Sequence, residues 1–316
     1  MTSTPALSVV LITPDSFETV RRTVECVVRQ NVRSSIELIV VAPESATIDV
    51  DQTLVGPLAG VQVVRLASLT PTGPARAAAI RAARAPIVAF GEEHCFPQPG
   101  WAEALLNAHR DRAAAVGPAM RNANPGTIVS WADVLIGYGP WLEPVERSER
   151  RYLPGHNSSY KRAVLLEYGD ALDTLMEAET VLMWDLARRG HRLLLEPAAV
   201  AAHVNFGYWS SWVQVMFLNG RAFADTRAAR WSRVRRMAFA VASPLIPFVR
   251  LMRTLGHVRR VRRGALFAAR VVPTVFVGLV FDAAGQMAGY AAGAGVAHER
   301  LAAFEWHRLK HTPQPI

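Results

Sequence analysis

Short apolar runs rich in β-branched residues alternate with helix-like segments over the first 90 residues. The runs Leu7–Ile12 and Ile36–Val41 read as strands and enclose a segment in which apolar residues recur at helical spacing. The recurring residues are Val20, Val24, Val27 and Val28. Further strands are predicted at Val61–Leu66 and Pro86–Phe90, with an alanine-rich helix, Pro74–Arg84, between them. This alternation predicts an α/β fold with a mostly parallel central sheet and helices on both faces.

An acidic and imidazole-bearing stretch, Glu92-Glu93-His94, follows the fourth predicted strand after a single glycine. Ligands of open α/β sheets bind beyond the carboxyl ends of the strands, so these side chains are expected to line a crevice. Carboxylates bind hard divalent ions, and imidazole suits Mn²⁺ better than Mg²⁺. The stretch therefore predicts a metal-bound phosphate site. The alternative is a solvated acidic turn that caps the following helix.

The charge is divided unevenly along the 316 residues. Residues 1–205 carry 19 basic and 22 acidic side chains, a net charge of −3, whereas residues 206–316 carry 16 and 4, a net charge of +12. Placement of charge says more about partners than its total does. We therefore expect two regions with different roles, 1–205 and 206–316.

Cysteine usage and the first residues predict a cytoplasmic location. Cys26 and Cys95 are the only cysteines, which fits a reducing compartment and favours neither a disulfide framework nor a thiolate metal cluster. The start, Met-Thr-Ser-Thr-Pro-Ala-Leu, has neither the basic residues nor the apolar stretch of a signal peptide.

Four segments of the first region, taken in order, resemble the nucleotide-binding half of the family 2 glycosyltransferases. They are Ser8–Ile12 with Pro14, Glu37–Val41, Gly73–Arg76 and Ile87–His94. The resemblance extends over roughly residues 7–205 and implies the A-type glycosyltransferase fold, with 1–205 as the nucleotide-sugar-binding catalytic domain. In that family an Asp-x-Asp type motif holds a divalent metal, Mn²⁺ or Mg²⁺, and the diphosphate of the donor. The match implies metal ligands at Glu92 and His94, with Glu93 between them on the donor.

Recognition of the nucleotide base departs from the family pattern. Family members usually carry aspartates directly after the second strand, where this chain reads Ala42-Pro43-Glu44-Ser45. In place of those aspartates, Asp15 at the end of the first strand and Glu44 are the candidates for sharing the contact with the base. Arg76, at the start of a helix, would meet the diphosphate or the base. Its alternative is an ordinary solvated helix residue.

Two later segments resemble the donor-sugar and catalytic parts of the family. Leu153–Arg162 is similar to the segment that passes under the donor sugar, which implies binding roles for His156 and Asn157; ordinary turn chemistry is the alternative. Met176–Gly190 is similar to the family's acidic-pair helix and places Glu179 at the catalytic carboxylate, or Glu177 if the register slips.

A histidine near the end of the first region completes the candidate site. His203 follows a predicted strand and is similar to a family histidine that reaches the metal or the diphosphate. A lone histidine after a strand also has a purely structural interpretation. The carboxylate of Glu179 would take the proton of the acceptor hydroxyl as that hydroxyl attacks opposite the leaving diphosphate, so the product anomer is inverted.

The second region is basic and apolar together. Thirteen arginines against the single acid Asp225 lie between Arg221 and Arg270, interleaved with apolar and aromatic clusters. This pattern is typical of helices in the headgroup region of an anionic membrane. The apolar run Ala265–Phe281 is interrupted by Arg270 and Pro273, so we favour an interfacial or re-entrant hairpin over a crossing. The glycines that follow permit close helix packing and a homo-oligomer.

We therefore expect a membrane-associated, inverting glycosyltransferase of cell-envelope glycan synthesis, acting at the cytoplasmic face of the membrane. Its expected substrates are a nucleotide-sugar donor and a lipid-linked saccharide or polyprenyl phosphate. One rival is a catalytically inactive scaffold of the same fold, which the substituted aspartates favour. Another is a nucleic-acid-binding protein that uses the arginines, but the apolar interruptions argue against nucleic acid as a partner.

Overall fold

The computed structural model of the protein describes residues 4–177 and 179–313. Its strands are β1 (Leu7–Ile12), β2 (Ile36–Pro43), β3 (Gly60–Leu66), β4 (Ile87–Phe90), β5 (Cys95–Pro97), β6 (Ala113–Asn122), β7 (Ser148–Glu149), β8 (Ser159–Lys161) and β9 (Arg192–His203). Its helices are α1 (Phe17–Val28), α2 (Gln52–Val55), α3 (Thr72–Ala82), α4 (Trp101–Ala108), α5 (Ile128–Gly137), α6 (Arg162–Leu166), α7 (Ala171–Leu175), α8 (Glu179–Arg188), α9 (Trp209–Ala228), α10 (Arg233–Ala242), α11 (Ile246–Val261), α12 (Ala265–Ala292) and α13 (Ala297–Glu305).

The strands form one mixed sheet in the order β3-β2-β1-β4-β8-β6-β9-β5, with β7 paired to β9. β1 runs parallel to both β2 and β4, and β2 runs parallel to β3. β8 is antiparallel to its neighbours β4 and β6, and β5 is antiparallel to β9. The parallel strands are those predicted from the sequence, and the α/β fold class with its mostly parallel central sheet is confirmed.

Local sequence signals locate most of these elements closely. β1 has the predicted bounds, and Val20, Val24 and Val27 of α1 are fully buried in the core against the sheet. α3 begins two residues before the predicted start, at Thr72. The carboxylate of Glu177 accepts a hydrogen bond from the Gly73 backbone N–H at 2.6 Å and from Thr72 Oγ1 at 3.2 Å. This distant carboxylate satisfies the exposed donors of the first turn and so extends the helix.

A buried carboxylate ties the parallel strands together. Glu37 on β2 accepts hydrogen bonds from Ser8 Oγ on β1 at 2.5 Å and from the backbone N–H groups of Arg84 and Ala85, at 2.6 and 3.1 Å, just before β4. Burial favours the neutral acid, but these hydrogen bonds outweigh it and hold the pKa of Glu37 below its usual range. The ionised group fixes β1, β2 and the start of β4 relative to one another, which positions the loop that follows β4.

The chain forms two compact units. The first comprises residues 1–121 and 145–203, and the second comprises residues 122–144 and 204–316. The sequence places one boundary at 205, whereas the structure adds the segment 122–144, with α5, to the second unit. The reason is that α5 is apolar on several sides: Val129 and Leu135 are buried in the same cluster as Trp212 of α9 and Val275 of α12.

The second unit is a helical body built around α12. A Cβ added at Gly285 would collide with the carbonyl of Phe217, and one added at Gly220 would collide with the carbonyl of Asp282. Helices α9 and α12 therefore approach backbone to backbone, and only glycine fits at these contacts. Gly278 and Gly289, two of the glycines with predicted packing roles, likewise face neighbouring residues of the same chain.

Two stretches of the second unit are long and apolar enough to cross a membrane by length and composition, Arg233–Val261 and Ala265–Ala292. The first consists of α10 and α11, joined by a 3-10 turn at Ser243–Leu245. Only 22% and 33% of their most apolar windows are buried within the protein, so much of this apolar surface faces outward. Core helices of soluble proteins can have the same length and composition.

Candidate active site

Three predicted metal ligands converge in the first unit. One ligand atom from each of Glu92, His94 and His203 lies within 4.8 Å of the other two. Glu92 and His94 belong to the loop after β4, and His203 ends β9. The register between β5 and β9 pairs Cys95 directly with His203, so the strand pairing itself brings the distant histidine beside His94.

The cluster is nearly closed to solvent. The side chains of His94 and His203 are 2% and 1% exposed and that of Glu92 is 15% exposed. The two imidazole rings pack edge to face with their centroids 4.9 Å apart. Nε2 of His94 lies 3.7 Å from Glu92 Oε1, and Nε2 of His203 lies 3.8 Å from Glu92 Oε2. Both separations exceed hydrogen-bond range, while both ring nitrogens face the carboxylate.

Neighbouring polar groups orient the candidate ligands. Glu93 Oε1 accepts a hydrogen bond at 2.8 Å from Nδ1 of His94, which places the proton on Nδ1 and turns the Nε2 lone pair toward Glu92. Asn157 Nδ2 donates to Glu92 Oε2 at 2.8 Å, and Thr23 Oγ1 donates to the Glu92 carbonyl at 3.0 Å. Partners of this kind fix the orientation of metal ligands.

Two imidazoles and one carboxylate form a donor set that fits a divalent transition ion. Imidazole nitrogen suits Zn²⁺, Fe²⁺ and related ions, whereas Mg²⁺ prefers oxygen ligands. The site is nearly closed to solvent, and a hydrogen bond at Nδ1 orients the His94 ring, as is typical of metal-ligating histidines. The resemblance assigned Glu93 to the donor. In the structure its Oε1 lies 2.8 Å from His94 Nδ1, and its contact with a donor stays a prediction.

The predicted catalytic carboxylate lies in a buried ion cluster. Glu179 starts α8, and its Oε1 lies 2.6 Å from Arg76 Nη1 and 3.1 Å from His156 Nδ1. The side chains of Arg76 and Glu179 are 11% and 6% exposed, whereas that of His156 is 44% exposed. Arg76 also donates from Nη1 to the Met176 carbonyl at 2.9 Å. Arg76 is thus not a solvated helix residue in this structure.

The cluster sets the charge of its members. Burial alone would raise the pKa of Glu179, but the positive charges of Arg76 and His156 outweigh it and lower that pKa. Desolvation alone would lower the pKa of His156, but the negative charge of Glu179 outweighs it and raises that pKa. Glu179 is therefore ionised at neutral pH and able to accept a proton.

A single turn joins the two groups. In the 3-10 turn Gly155–Asn157, His156 contacts Glu179 while the next residue, Asn157, bonds Glu92. A Cβ on Gly155 would lie 3.1 Å from the Cβ of Glu179 and 3.2 Å from its Oε2. Glycine at this position thus lets the carboxylate pass close to the turn. The motif predicted to lie under the donor sugar connects the candidate metal ligands to the candidate base.

The remaining predicted residues lie elsewhere in this unit. Glu177, the alternative register for the base, caps α3 through Gly73 and Thr72. Asp15 Oδ1 accepts hydrogen bonds from Ser16 N and Thr19 Oγ1, both at 2.6 Å, at the start of α1. Glu44 is exposed just after β2. Asp15 and Glu44 thus follow the carboxyl ends of neighbouring strands, and their contact with a nucleotide base stays a prediction.

Comparison with known proteins places the fold in a family. Residues 8–169 match the sequence profile of the family described as "Glycosyl transferase family 2". The chain belongs to this family. The matched segment is half of the chain and contains Glu92, Glu93, His94, His156 and Asn157. The predicted resemblance is confirmed, and the protein is a glycosyltransferase by family.

The chain is also similar to solved structures at low sequence identity. One is GalNAc-T7 with UDP, GalNAc and Mn²⁺, at a TM-score of 0.48 and 16% identity, over 63% of this chain and 43% of that one. Another is S. aureus TarS 1-349, at a TM-score of 0.47 and 16% identity, over 93% of this chain and 92% of that one. TarS 1-349 in complex with UDP matches with a TM-score of 0.46 at the same identity and coverage. No curated protein sequence matches this family 2 chain.

Proposed function

We propose that this family 2 glycosyltransferase transfers a sugar, with inversion, from a nucleotide-sugar donor to an acceptor presented at a membrane. The acceptor is a lipid-linked saccharide or a polyprenyl phosphate, used in cell-envelope glycan synthesis. One observation carries the catalytic part of this proposal. Consecutive residues of one turn contact the two groups that the chemistry needs: His156 contacts Glu179, and Asn157 contacts Glu92.

In this mechanism, Glu179 accepts the proton of the attacking O–H group of the acceptor as that oxygen bonds to the anomeric carbon and the nucleoside diphosphate leaves. A positioned base of this kind contributes roughly 10²–10⁴-fold to the rate. In the free protein, Arg76 and His156 hold the carboxylate ionised. Because Arg76 is within 2.6 Å of Glu179, its charge also lowers the basicity of that carboxylate. The donor diphosphate competes for the same guanidinium, so donor binding would free Glu179 as a stronger base.

Glu92, His94 and His203 would hold a divalent ion, and of Mn²⁺ and Mg²⁺ we propose Mn²⁺, because two imidazole ligands disfavour Mg²⁺. When bound, the ion supplies positive charge to the departing diphosphate. Glu93 and Asn157 act on the ligands, keeping the His94 ring and the Glu92 carboxylate in place. Asp15 and Glu44 are proposed to contact the nucleotide base from the ends of their strands.

Surface chemistry of the second unit supports the membrane part of the proposal. Large apolar side chains are exposed along α10 and α11, including Val234 at 81%, Val241 at 77% and Met252 at 70%. The same helices are rich in arginine. Apolar side chains between arginines suit an anionic headgroup layer. We propose that these helices lie in the interface at the cytoplasmic face rather than cross it.

The proposed function is tested by a thermal-shift screen of nucleotides and sugar nucleotides with and without Mn²⁺. Ligands of the native state raise its apparent stability, so at least one sugar nucleotide is expected to raise Tm, and to do so more with Mn²⁺. Slow Mn²⁺-dependent hydrolysis of the same sugar nucleotide is expected as well. Binding without hydrolysis or transfer would favour the inactive scaffold, and no shift with any nucleotide would contradict the donor assignment.

The membrane assignment predicts two separable contributions to liposome binding. High salt is expected to weaken binding to anionic liposomes without abolishing it, since salt screens arginine but not apolar contacts. Replacing Arg259, Arg260, Arg262 and Arg263 together with glutamine should lower affinity for anionic liposomes and spare the residual affinity for neutral ones. Cosedimentation measures both.

The controls separate an interfacial helix from a span and from a nucleic-acid site. Protein that stays wholly with the membrane in alkaline carbonate would identify Ala265–Ala292 as a transmembrane helix. Tighter binding to duplex DNA than to anionic liposomes in the same buffer would favour the nucleic-acid interpretation.

A further inference from the structure

We infer that a cavity of the second unit binds the phosphate end of a lipid phosphate, meaning a phosphate monoester on a long apolar chain. The cavity has a volume of about 260 Å³ and is lined by α9, by Phe281 of α12 and by the start of α13. This inference goes beyond the proposed transfer reaction and concerns the second unit alone. It names a ligand class and the residues that would hold it.

The walls of the cavity are mainly apolar. Phe217 and Leu218 contribute from α9, Phe281 from α12, and Val296 from the segment before α13. Phe281 and Val296 are 40% and 56% exposed, so apolar surface continues from the cavity to the outside of the protein. An apolar chain can therefore enter without burying polar groups. The volume is slightly below the roughly 300–1,000 Å³ of typical ligand pockets, which suits the end of a lipid rather than its full length.

Two guanidinium groups, Arg221 and Arg300, line the same cavity. Arg221 Nε donates a hydrogen bond to the Gly293 carbonyl at 2.9 Å. Gly295 has a positive φ of 54°, and a Cβ there would lie only 2.7 Å from Arg221 Nη2. The loop thus holds the Arg221 guanidinium at the cavity wall, and a guanidinium carries five N–H donors. Arg300 is exposed on α13 and supplies a second guanidinium.

The combination selects one ligand class. Guanidinium groups bind phosphate oxygens in charge-assisted pairs, which a neutral chain cannot satisfy. The apolar walls offer nothing to a free nucleotide or to inorganic phosphate. A phosphate attached to an apolar chain satisfies both parts, with its head at the arginines and its chain along Phe217 and Phe281.

The test is calorimetric titration of the full chain with farnesyl phosphate, below its aggregation concentration, beside farnesol and inorganic phosphate. Farnesyl phosphate is expected to bind at least about tenfold more tightly than farnesol, and inorganic phosphate to bind far more weakly than either. Arg300→Gln should weaken farnesyl phosphate binding about tenfold and leave farnesol binding unchanged. Gln214→Trp, at an exposed lining position, should block both ligands.

Arg253→Gln is the matched control, because Arg253 is an exposed arginine of α11 outside the cavity. Equal affinity for farnesyl phosphate and farnesol would overturn the proposal, as would equal weakening by Arg300→Gln and Arg253→Gln. Inorganic phosphate binding as tightly as farnesyl phosphate would indicate a free-anion site instead. Unaltered binding in Gln214→Trp would place the ligand elsewhere.

Nucleotide binding is measured on the same samples. It distinguishes failure of the lipid site from failure of the proposed function. If Mn²⁺-dependent nucleotide binding persists while farnesyl phosphate fails to bind, only the lipid site is wrong. If nucleotide binding is absent from the wild type, the donor assignment fails whatever the cavity binds.

Discussion

Replacing Glu92 or His94 with alanine is expected to weaken nucleoside diphosphate binding by about 10–100-fold or more when Mn²⁺ is present, and to change it little in chelator. The reason is that either change removes one of three ligand atoms that lie within 4.8 Å of one another. His203→Ala should behave in the same way, because its Nε2 lies 3.8 Å from the second oxygen of the Glu92 carboxylate. Titration calorimetry with UDP, and Mn²⁺ affinity measured by electron paramagnetic resonance, check both parts.

The matched control is His191→Ala, which removes a half-buried histidine of the same unit that is not part of the cluster. It should leave Mn²⁺ affinity unchanged. Glu93→Gln should give an intermediate loss, since an amide supports the His94 Nδ1 proton less well than a carboxylate does. If the wild type and all three alanine variants bind UDP equally, with and without Mn²⁺, Glu92–His94 is a solvated acidic turn and not a metal site.

The fold could be predicted because its signals are local. β1 and the buried face of α1 follow from apolar residues at strand and helix spacing, and their bounds agree with the structure. The two additional residues at the start of α3 could not be predicted in this way. They depend on Glu177, about a hundred positions further along the chain, whose carboxylate satisfies the helix donors. The membership of α5 in the second unit likewise depends on contacts with distant helices.

The candidate site shows the same division between local and distant information. Glu92 and His94 could be predicted from their position after a buried strand. His203 could be named only from the family resemblance, and its place beside His94 comes from the β5–β9 register. The buried pair between Arg76 and Glu179 had no local signal, because helical spacing gives no indication that residues of α3 and α8 meet.

The second large effect is expected at Glu179, whose carboxylate pairs with the buried Arg76. Replacing Glu179 with glutamine is expected to lower turnover by roughly 10²-fold or more while donor affinity survives, because an amide of nearly the same volume cannot accept the acceptor proton. The amide can occupy the same place beside Arg76 Nη1, but the buried guanidinium loses its counter-charge. Loss of a buried partner costs up to about 3–5 kcal/mol, so Tm is measured with turnover, and assays are run where both proteins are folded.

The dependence of this stability loss on pH has a definite sign. Folding lowers the pKa of Glu179, so the ion pair stabilises the wild type above the unfolded carboxyl pKa, and this stabilisation is lost as pH falls through the folded pKa. The Tm difference between wild type and Glu179→Gln should therefore shrink in acid, whereas the deficit in turnover at neutral pH should persist at every temperature at which both are folded. A turnover deficit that follows only the folded fraction would assign Glu179 a structural role.

Glu177→Gln separates the two possible registers of the catalytic carboxylate. Its carboxylate accepts hydrogen bonds from Gly73 N and Thr72 Oγ1, so the variant should lose some stability through the α3 cap and keep its turnover. If turnover instead falls in Glu177→Gln and is normal in Glu179→Gln, the base is Glu177, and the contact of the Gly155–Asn157 turn with Glu179 is a packing contact. If Glu179→Gln lowers turnover and Glu177→Gln lowers only stability, Glu179 beside Arg76 is the catalytic carboxylate and Glu177 is the structural cap of α3.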